Sequence, residues 1–265
     1  MLTAYVAAPA DGVAWITGAS SGIGRALALE LAAAGWSVVA TARSAEALDT
    51  LAGEARGLAG CVVPAPGDVT DAPAMAEIAA RIEAEVGPLA LLVANAGIYL
   101  PQDGLAGSPE AYAQTIDVNL KGTVNVLLPV IAAMTSRRKG QIAVVASVAG
   151  YSGLPTSAAY GATKAGLINM TESLKFDLDR AGIRIQLVSP GFVDTPATAG
   201  NPFPMPHLMP VEAAAKAIAE GLKGKAFEIA FPRAFVRQLK LLRLLPYRLY
   251  FPLVARATGW AKKPL

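Results

Sequence analysis

The stretch "GVAWITGASSGIG" (12–24) sets the reading of the whole chain. Its first half is a short, continuous apolar run. Its second half carries three glycines, Gly18, Gly22 and Gly24. The following "GIGRALALELAAAG" has helical spacing and closes near Gly35. A strand, a glycine turn and a helix in that order make a βα unit. Glycine lets the backbone turn tightly or approach a ligand closely. The helix start then offers free N–H groups and a partial positive charge to a diphosphate. Gly18, Ser20, Ser21, Gly22, Ile23 and Gly24 are therefore the candidate phosphate loop; an ordinary glycine-rich turn is the alternative.

The alternation continues outward from this unit. Strands are expected at "WSVVATA", "CVVPAPGDV", "LALLVANAG", "GQIAVVAS", "IRIQLVSPG" and "AFEIAFP". Between them fall helical patterns, one capped by Ser44 and one with Pro73 in its first turn. The segment 108–136 reads as one long helix that must bend near Pro129. The strands are apolar throughout rather than alternating, as strands buried on both faces are. The expected fold is α/β: a Rossmann-like doubly wound parallel sheet, one domain with helices on both faces. Its ligands would bind beyond the carboxyl ends of the strands. Residues 1–232 form this unit and 233–265 an extension.

Composition excludes several chemistries. The chain has 265 residues, 54% hydrophobic and 16% charged, enough for a sizeable core and far from disorder. Cys61 and His207 are the sole cysteine and histidine. No disulfide framework and no Cys or His metal cluster is expected, and a Ser-His-Asp triad is disfavoured. A reducing, cytoplasmic setting is the simplest expectation. The N-terminus lacks a basic region and Asp11 interrupts its apolar stretch, unlike a secretory signal. No uninterrupted apolar run reaches about eighteen residues, so no spanning helix is expected.

The dinucleotide is read at the end of the second strand, "TARS". An acid there would select NAD through the ribose hydroxyls. Ala42 takes that place and Arg43 follows, and an arginine can pair with a 2′-phosphate. NADP(H) is expected over NAD(H); the alternative is that Arg43 is a solvated charge.

With these elements placed, the chain resembles the short-chain dehydrogenase/reductase family over roughly residues 10–231. "TGASSGIG" fits the family's T-G-x-x-x-G-x-G, and "ANAG" fits its N-N-A-G turn, with Ala94 replacing the first Asn. "DVNLKG" supplies Asn119; Ser147, Tyr160 and Lys164 fit the active-site Ser and Tyr-x-x-x-Lys; "SPGFVDTP" fits the Pro-Gly turn and its Thr. The resemblance implies that Asp68 contacts the adenine. It also implies cofactor contacts from Asn95, Ala96, Gly97, Pro190, Gly191, Val193 and Thr195, and from Tyr160 and Lys164. Thr195 would meet the nicotinamide carboxamide, or else only cap a helix. Asn119 would anchor a water in a proton relay, or else only bridge within its helix.

The chemistry explains the spacing. Hydride transfer to a ketone leaves an alkoxide that needs a proton. Tyr160 can give it, and Lys164 four residues on shares its helical face. A neighbouring ammonium worth roughly 3–4 kcal/mol would bring a phenol pKa of about 10 toward neutral. Ser147 would hold the substrate oxygen. The loop 192–210 is apolar, with Phe203, Met205, Leu208 and Met209, so a hydrophobic ketone, aldehyde or alcohol is expected. A dinucleotide-binding scaffold without turnover is the rival reading. His207 lies in the same loop and is left out of the catalytic set.

Charge is unevenly spread. Residues 1–222 hold thirteen Lys/Arg and nineteen Asp/Glu, net −6; residues 223–265 hold ten Lys/Arg and one acid, Glu228, net +9. Within the extension, Arg233, Arg237, Lys240 and Arg243 share one side of a helical wheel. Phe235, Leu239, Leu241, Leu242 and Leu245 fill the opposite side; Val236 and Leu244 stray, and Pro246 stops the helix. Three fates stand open for residues 233–260: packing over the enzyme's own substrate mouth or a dimer, peripheral contact with a membrane surface, or another partner. A basic tail without a recognisable fold does not argue for nucleic acid. The resemblance also implies a homodimer or homotetramer joined through helices 109–135 and 157–181.

Overall fold

A computed structural model describes residues 5–199, 201 and 205–263; Phe203 and residues 1–4 lie outside the described residues. Seven strands form one sheet: β1 Val13–Thr17, β2 Ser37–Thr41, β3 Cys61–Pro64, β4 Leu89–Ala94, β5 Gly140–Val145, β6 Ile183–Pro190 and β7 Glu228–Phe231. Every pairing is parallel, and the order is β3-β2-β1-β4-β5-β6-β7. Chain progression reverses between β1 and β4, which opens a crevice at their carboxyl ends. β1, β4, β5 and β6 are buried along their whole length, which is why their sequences do not alternate.

Helices cover both faces. On one, α1 Gly22–Ala33, α2 Ala45–Glu54 and α7 Val211–Lys223 bury Leu27, Leu48, Leu51 and Ile218 against Ile16, Val38 and Val93. On the other lie α3 Ala72–Arg81, α4 Pro109–Ile116, α5 Gly122–Arg137 and α6 Ala158–Ala181. There Met75, Val126, Leu127 and Leu167 meet Trp15, Leu92 and Ile142. Burying each such side chain stabilises the fold by about 1.5–3 kcal/mol. The expected cap is present, with the Ser44 hydroxyl accepting from the Ala47 N–H at 3.2 Å.

The helix through 109–137 differs from expectation. Its departure from α geometry is a π turn at Asp117–Lys121, around the fully buried Asn119, while Pro129 remains inside α5. By its length of 29 residues and the mean hydropathy of its most apolar stretch it would also pass as a membrane span. Here it is a core helix, with Val126, Leu127, Val130 and Met134 packed onto the sheet side.

The extension forms two helices where one was expected: α8 Arg233–Arg243 and α9 Tyr247–Ala257. Pro246 ends the first and caps the second, and Pro252 lies within α9. Of the three fates, the inner sides of both helices take the first and pack on the protein's own body. Phe235 and Val236 join the core, the latter contrary to its stray position on the wheel. The Phe235 ring lies 5.5 Å from Phe192 and 5.9 Å from His207. The Tyr250 hydroxyl donates to the Gly153 carbonyl at 2.7 Å. Glu228 fastens the other side, accepting from the Tyr151 and Ser189 hydroxyls and pairing with Lys240 on α8.

Candidate active site

The glycine loop leaves β1 at the crevice. Gly18 has φ +68°, and a Cβ there would sit 2.7 Å from the Ala96 Cα. A Cβ on Gly24 would lie 2.3 Å from the Gly18 carbonyl oxygen. Only glycine fits either place, and a side chain would fill the cradle. Asn95, at the end of β4, locks this loop: its amide donates to the carbonyls of Thr17 at 2.9 Å and Gly18 at 3.3 Å. The Thr17 hydroxyl in turn accepts from the N–H groups of Asn95 and Ala96 at 3.1 Å each. Ser20, Ser21, Ile23, Arg43, Asp68 and Gly97 line the same crevice. Arg43 is exposed and makes no ion pair among the described residues. The Asp68 carboxylate accepts from the Thr70 N–H and hydroxyl, both at 2.9 Å.

Ser147 follows β5, where its hydroxyl accepts from the Ala149 N–H at 3.1 Å and reaches toward the Pro190 carbonyl at 3.5 Å. Tyr160 and Lys164 come from the first turns of α6 and face the crevice together, the ammonium 5.5 Å from the phenol ring centroid. Lys164 is 3% exposed, and its ammonium donates to the Val145 carbonyl at 2.9 Å. Burial pulls its pKa down from the ordinary value to about 8. Burial also pushes the Tyr160 phenol up to about 12, partly offset by its hydrogen bond with Ser147. Burial thus opposes the expected lowering of the Tyr160 phenol by Lys164.

Asn119 is placed behind the site rather than in its lining. Its side-chain oxygen accepts from the Ile98 N–H at 2.7 Å, and its amide donates to the Ile98 carbonyl at 2.9 Å and the Thr163 hydroxyl at 3.2 Å. Pro190, Gly191, Val193 and Thr195 form the far wall, where Val193 bridges to Met209. A Cβ on Gly22 would lie 3.2 Å from the Thr195 methyl, so Thr195 closes over the glycine loop. Its N–H donates to the Thr198 hydroxyl at 3.2 Å within a turn.

Sequence reasoning missed part of the site. Tyr99 stands edge-on to Tyr160 at 4.9 Å between centroids and shares a hydrogen bond with Thr156 at 3.1 Å. Nothing in the local pattern around Tyr99 marks it. The apolar wall of the cavity, about 600 Å³ in all, comes only in part from the expected loop. Met205, Leu208 and Met209 do not line it; Leu208 is exposed and Met209 packs against the opposite core. Phe235, Leu239, Leu242, Val254, Ala257 and Trp260 line it together with Phe192, Val193, Pro196, Ala197 and Pro206 of that loop. The first three are spaced i, i+4, i+7, a stripe visible in the sequence.

Comparison with known proteins agrees with this geometry. The family model described as short chain dehydrogenase matches residues 12–202. An uncharacterized oxidoreductase of Myxococcus xanthus is 38% identical over 237 residues, covering 89% of this chain and 94% of that protein. The 3-oxoacyl-(acyl-carrier-protein) reductase FabG of Thermotoga maritima is 40% identical over 190 residues, covering 72% and 77%. A crystal structure of a short-chain type dehydrogenase/reductase from Mycobacterium marinum superposes with a TM-score of 0.75 at 27% identity, covering 83% of this chain and 93% of that one.

Proposed function

The chain belongs to the short-chain dehydrogenase/reductase family of oxidoreductases, and we propose that it uses NADP(H) to interconvert a hydrophobic ketone or aldehyde and its alcohol. The observation that carries this reading is the convergence of Ser147, Tyr160 and Lys164 on one cavity, with the side-chain-free glycine cradle at one end and an apolar wall at the other.

The residues present fit a dinucleotide. Gly18–Gly24 would take the diphosphate, Asp68 the adenine side and the unpaired Arg43 a 2′-phosphate. Lys164, with Asn95, Ala96, Gly97, Pro190, Gly191, Val193 and Thr195, would bound the nicotinamide half. When bound, NADPH supplies the hydride. Ser147 then holds the substrate oxygen within reach of the Tyr160 hydroxyl, and the phenol donates its proton to the oxygen as negative charge develops there. A phenol kept protonated by burial is in the correct state for that donation. The Lys164 ammonium beside it stabilises the phenolate left behind. Asn119 acts at one remove, fixing the Ile98 backbone and Thr163 on α6. The oxoacyl substrate class in the name of the Thermotoga relative is compatible with the apolar wall. Exposed Ile116, Leu128 and Phe176 on α4, α5 and α6 support self-association through these helices.

The test is loss of the reduced-nicotinamide absorbance from NADPH and, separately, NADH over a panel of hydrophobic ketones and aldehydes. Wild type is compared with Tyr160→Phe. Turnover with NADPH that falls by about a hundredfold or more in the variant is expected. A preference for NADH would overturn the use of Arg43. Equal turnover in the variant would overturn the role of Tyr160.

A further inference from the structure

The outer surface of α8 and α9 is chemically unlike the rest of the protein. Leu241, Leu244, Tyr247, Leu249, Phe251 and Leu253 are between 48% and 79% exposed within thirteen consecutive residues. Such a density of large exposed apolar side chains marks a contact surface. On α9 the wheel explains the arrangement. Tyr250 and Val254 point into the body, while Leu249 and Leu253 flank them on one side and Tyr247 and Phe251 on the other.

Positive charge surrounds this patch. Arg237, Arg243, Arg248 and Arg256 are exposed and make no ion pair among the described residues. The one acid after residue 222, Glu228, is already consumed by Lys240, Tyr151 and Ser189. A second copy of this surface would therefore bring like charge against like charge. A surface that offers both phosphate anions and an apolar interior satisfies the two features together. The position of the patch fits as well, since the inner sides of the same helices (Leu239, Leu242, Val254) wall the cavity.

We propose that the outer surface of α8 and α9 docks the protein on an anionic lipid surface. The docking stands apart from the redox chemistry, so it is read without turnover. The full chain is floated with vesicles of phosphatidylcholine alone, or with about one third phosphatidylglycerol, at low salt and at about 0.5 M salt, where the screening length is about 4 Å. Two variants accompany it: Arg237→Ser/Arg248→Ser/Arg256→Ser and Leu244→Ser/Phe251→Ser. All five positions are exposed, and an unchanged unfolding temperature verifies that each variant is folded.

Binding is expected only with anionic vesicles, and lost at high salt. Each basic residue near such a surface contributes about fivefold, so the triple variant should lose about a hundredfold in partitioning. The double variant should lose about tenfold or more. Absence of flotation overturns the proposal, as does equal binding to phosphatidylcholine alone. Loss in the basic variant with none in the apolar variant overturns the part given to Leu244 and Phe251 and leaves charge alone as the attraction. A dimer on size exclusion that Leu244→Ser/Phe251→Ser dissolves overturns it in favour of a second copy.

Discussion

Replacing Lys164 with methionine should flatten the pH dependence of stability of the ligand-free protein above neutrality. The Lys164 ammonium is 3% exposed, and burial lowers its pKa from 10.5 to about 8. A lysine whose folded pKa is depressed binds fewer protons folded than unfolded between those two values. Stability therefore rises with pH through that window. The whole rise is worth about 3 kcal/mol at 1.36 kcal/mol per tenfold. Integrating the linkage relation from pH 7 to 9 gives about 1.3 kcal/mol, or about 2–3 °C in unfolding temperature for a chain of this size. Tyr160 acts with the opposite sign. Its raised pKa makes stability fall as pH climbs past about 10, so the range from pH 7 to 9 isolates the lysine. The assay is thermal unfolding of wild type and Lys164→Met at several pH values, without nucleotide. Wild type should gain on the variant as pH rises. Parallel curves would refute the claim that desolvation governs Lys164.

Three further outcomes follow from contacts described above. Gly24→Ala places a Cβ against the Gly18 carbonyl and should abolish nucleotide binding, measured by NADPH fluorescence, at a stability cost of about 1–3 kcal/mol. Arg43→Ser should raise the KM for NADPH about ten- to a hundredfold and leave that for NADH nearly unchanged, because a charge-assisted hydrogen bond is worth about 1.5–3 kcal/mol. Phe235→Ala removes the ring that joins α8 to Phe192 and His207. It should cost about 3 kcal/mol locally and make residues after 232 sensitive to limited proteolysis, with nucleotide binding retained.

Most of the sheet was legible because its strands are buried on both faces and so spell continuous apolar runs. The glycine loop was legible because few backbones need three glycines between a strand and a helix. The π turn around Asn119 was not, since its cause is tertiary: the Asn119 side chain must meet Ile98 on one side and Thr163 on the other. Pro129 drew attention as the local anomaly, yet a helix on a sheet absorbs one missing donor. α9 was missed because Pro246 reads as a stop, although the same residue can start a helix, and Pro252 lies inside it. Composition marks the loop 192–210 as part of the wall but not which of its residues face the cavity, because packing turns Met209 toward the core and leaves Phe192, Val193 and Pro206 in the lining. Sequence could show the pairing of Tyr160 with Lys164, but not the burial that pushes the phenol up and the ammonium down.

The apolar wall of the cavity has a consequence for how such a protein diversifies. All seven strands, the glycine loop and the Ser147–Tyr160–Lys164 set precede α8, and the wall contributed by Phe235, Leu239, Leu242 and Val254 follows them. The reacting groups thus lie wholly in the earlier stretch of the polypeptide, whereas the wall is shared between the loop 192–210 and the helices after β7. Drift, duplication or exchange downstream of β7 can retune which molecules are accepted without disturbing the older machinery. Because Phe235 and Val236 belong to the main core, such exchange is cheapest at the positions beyond them, where Leu239, Leu242 and Val254 meet the cavity.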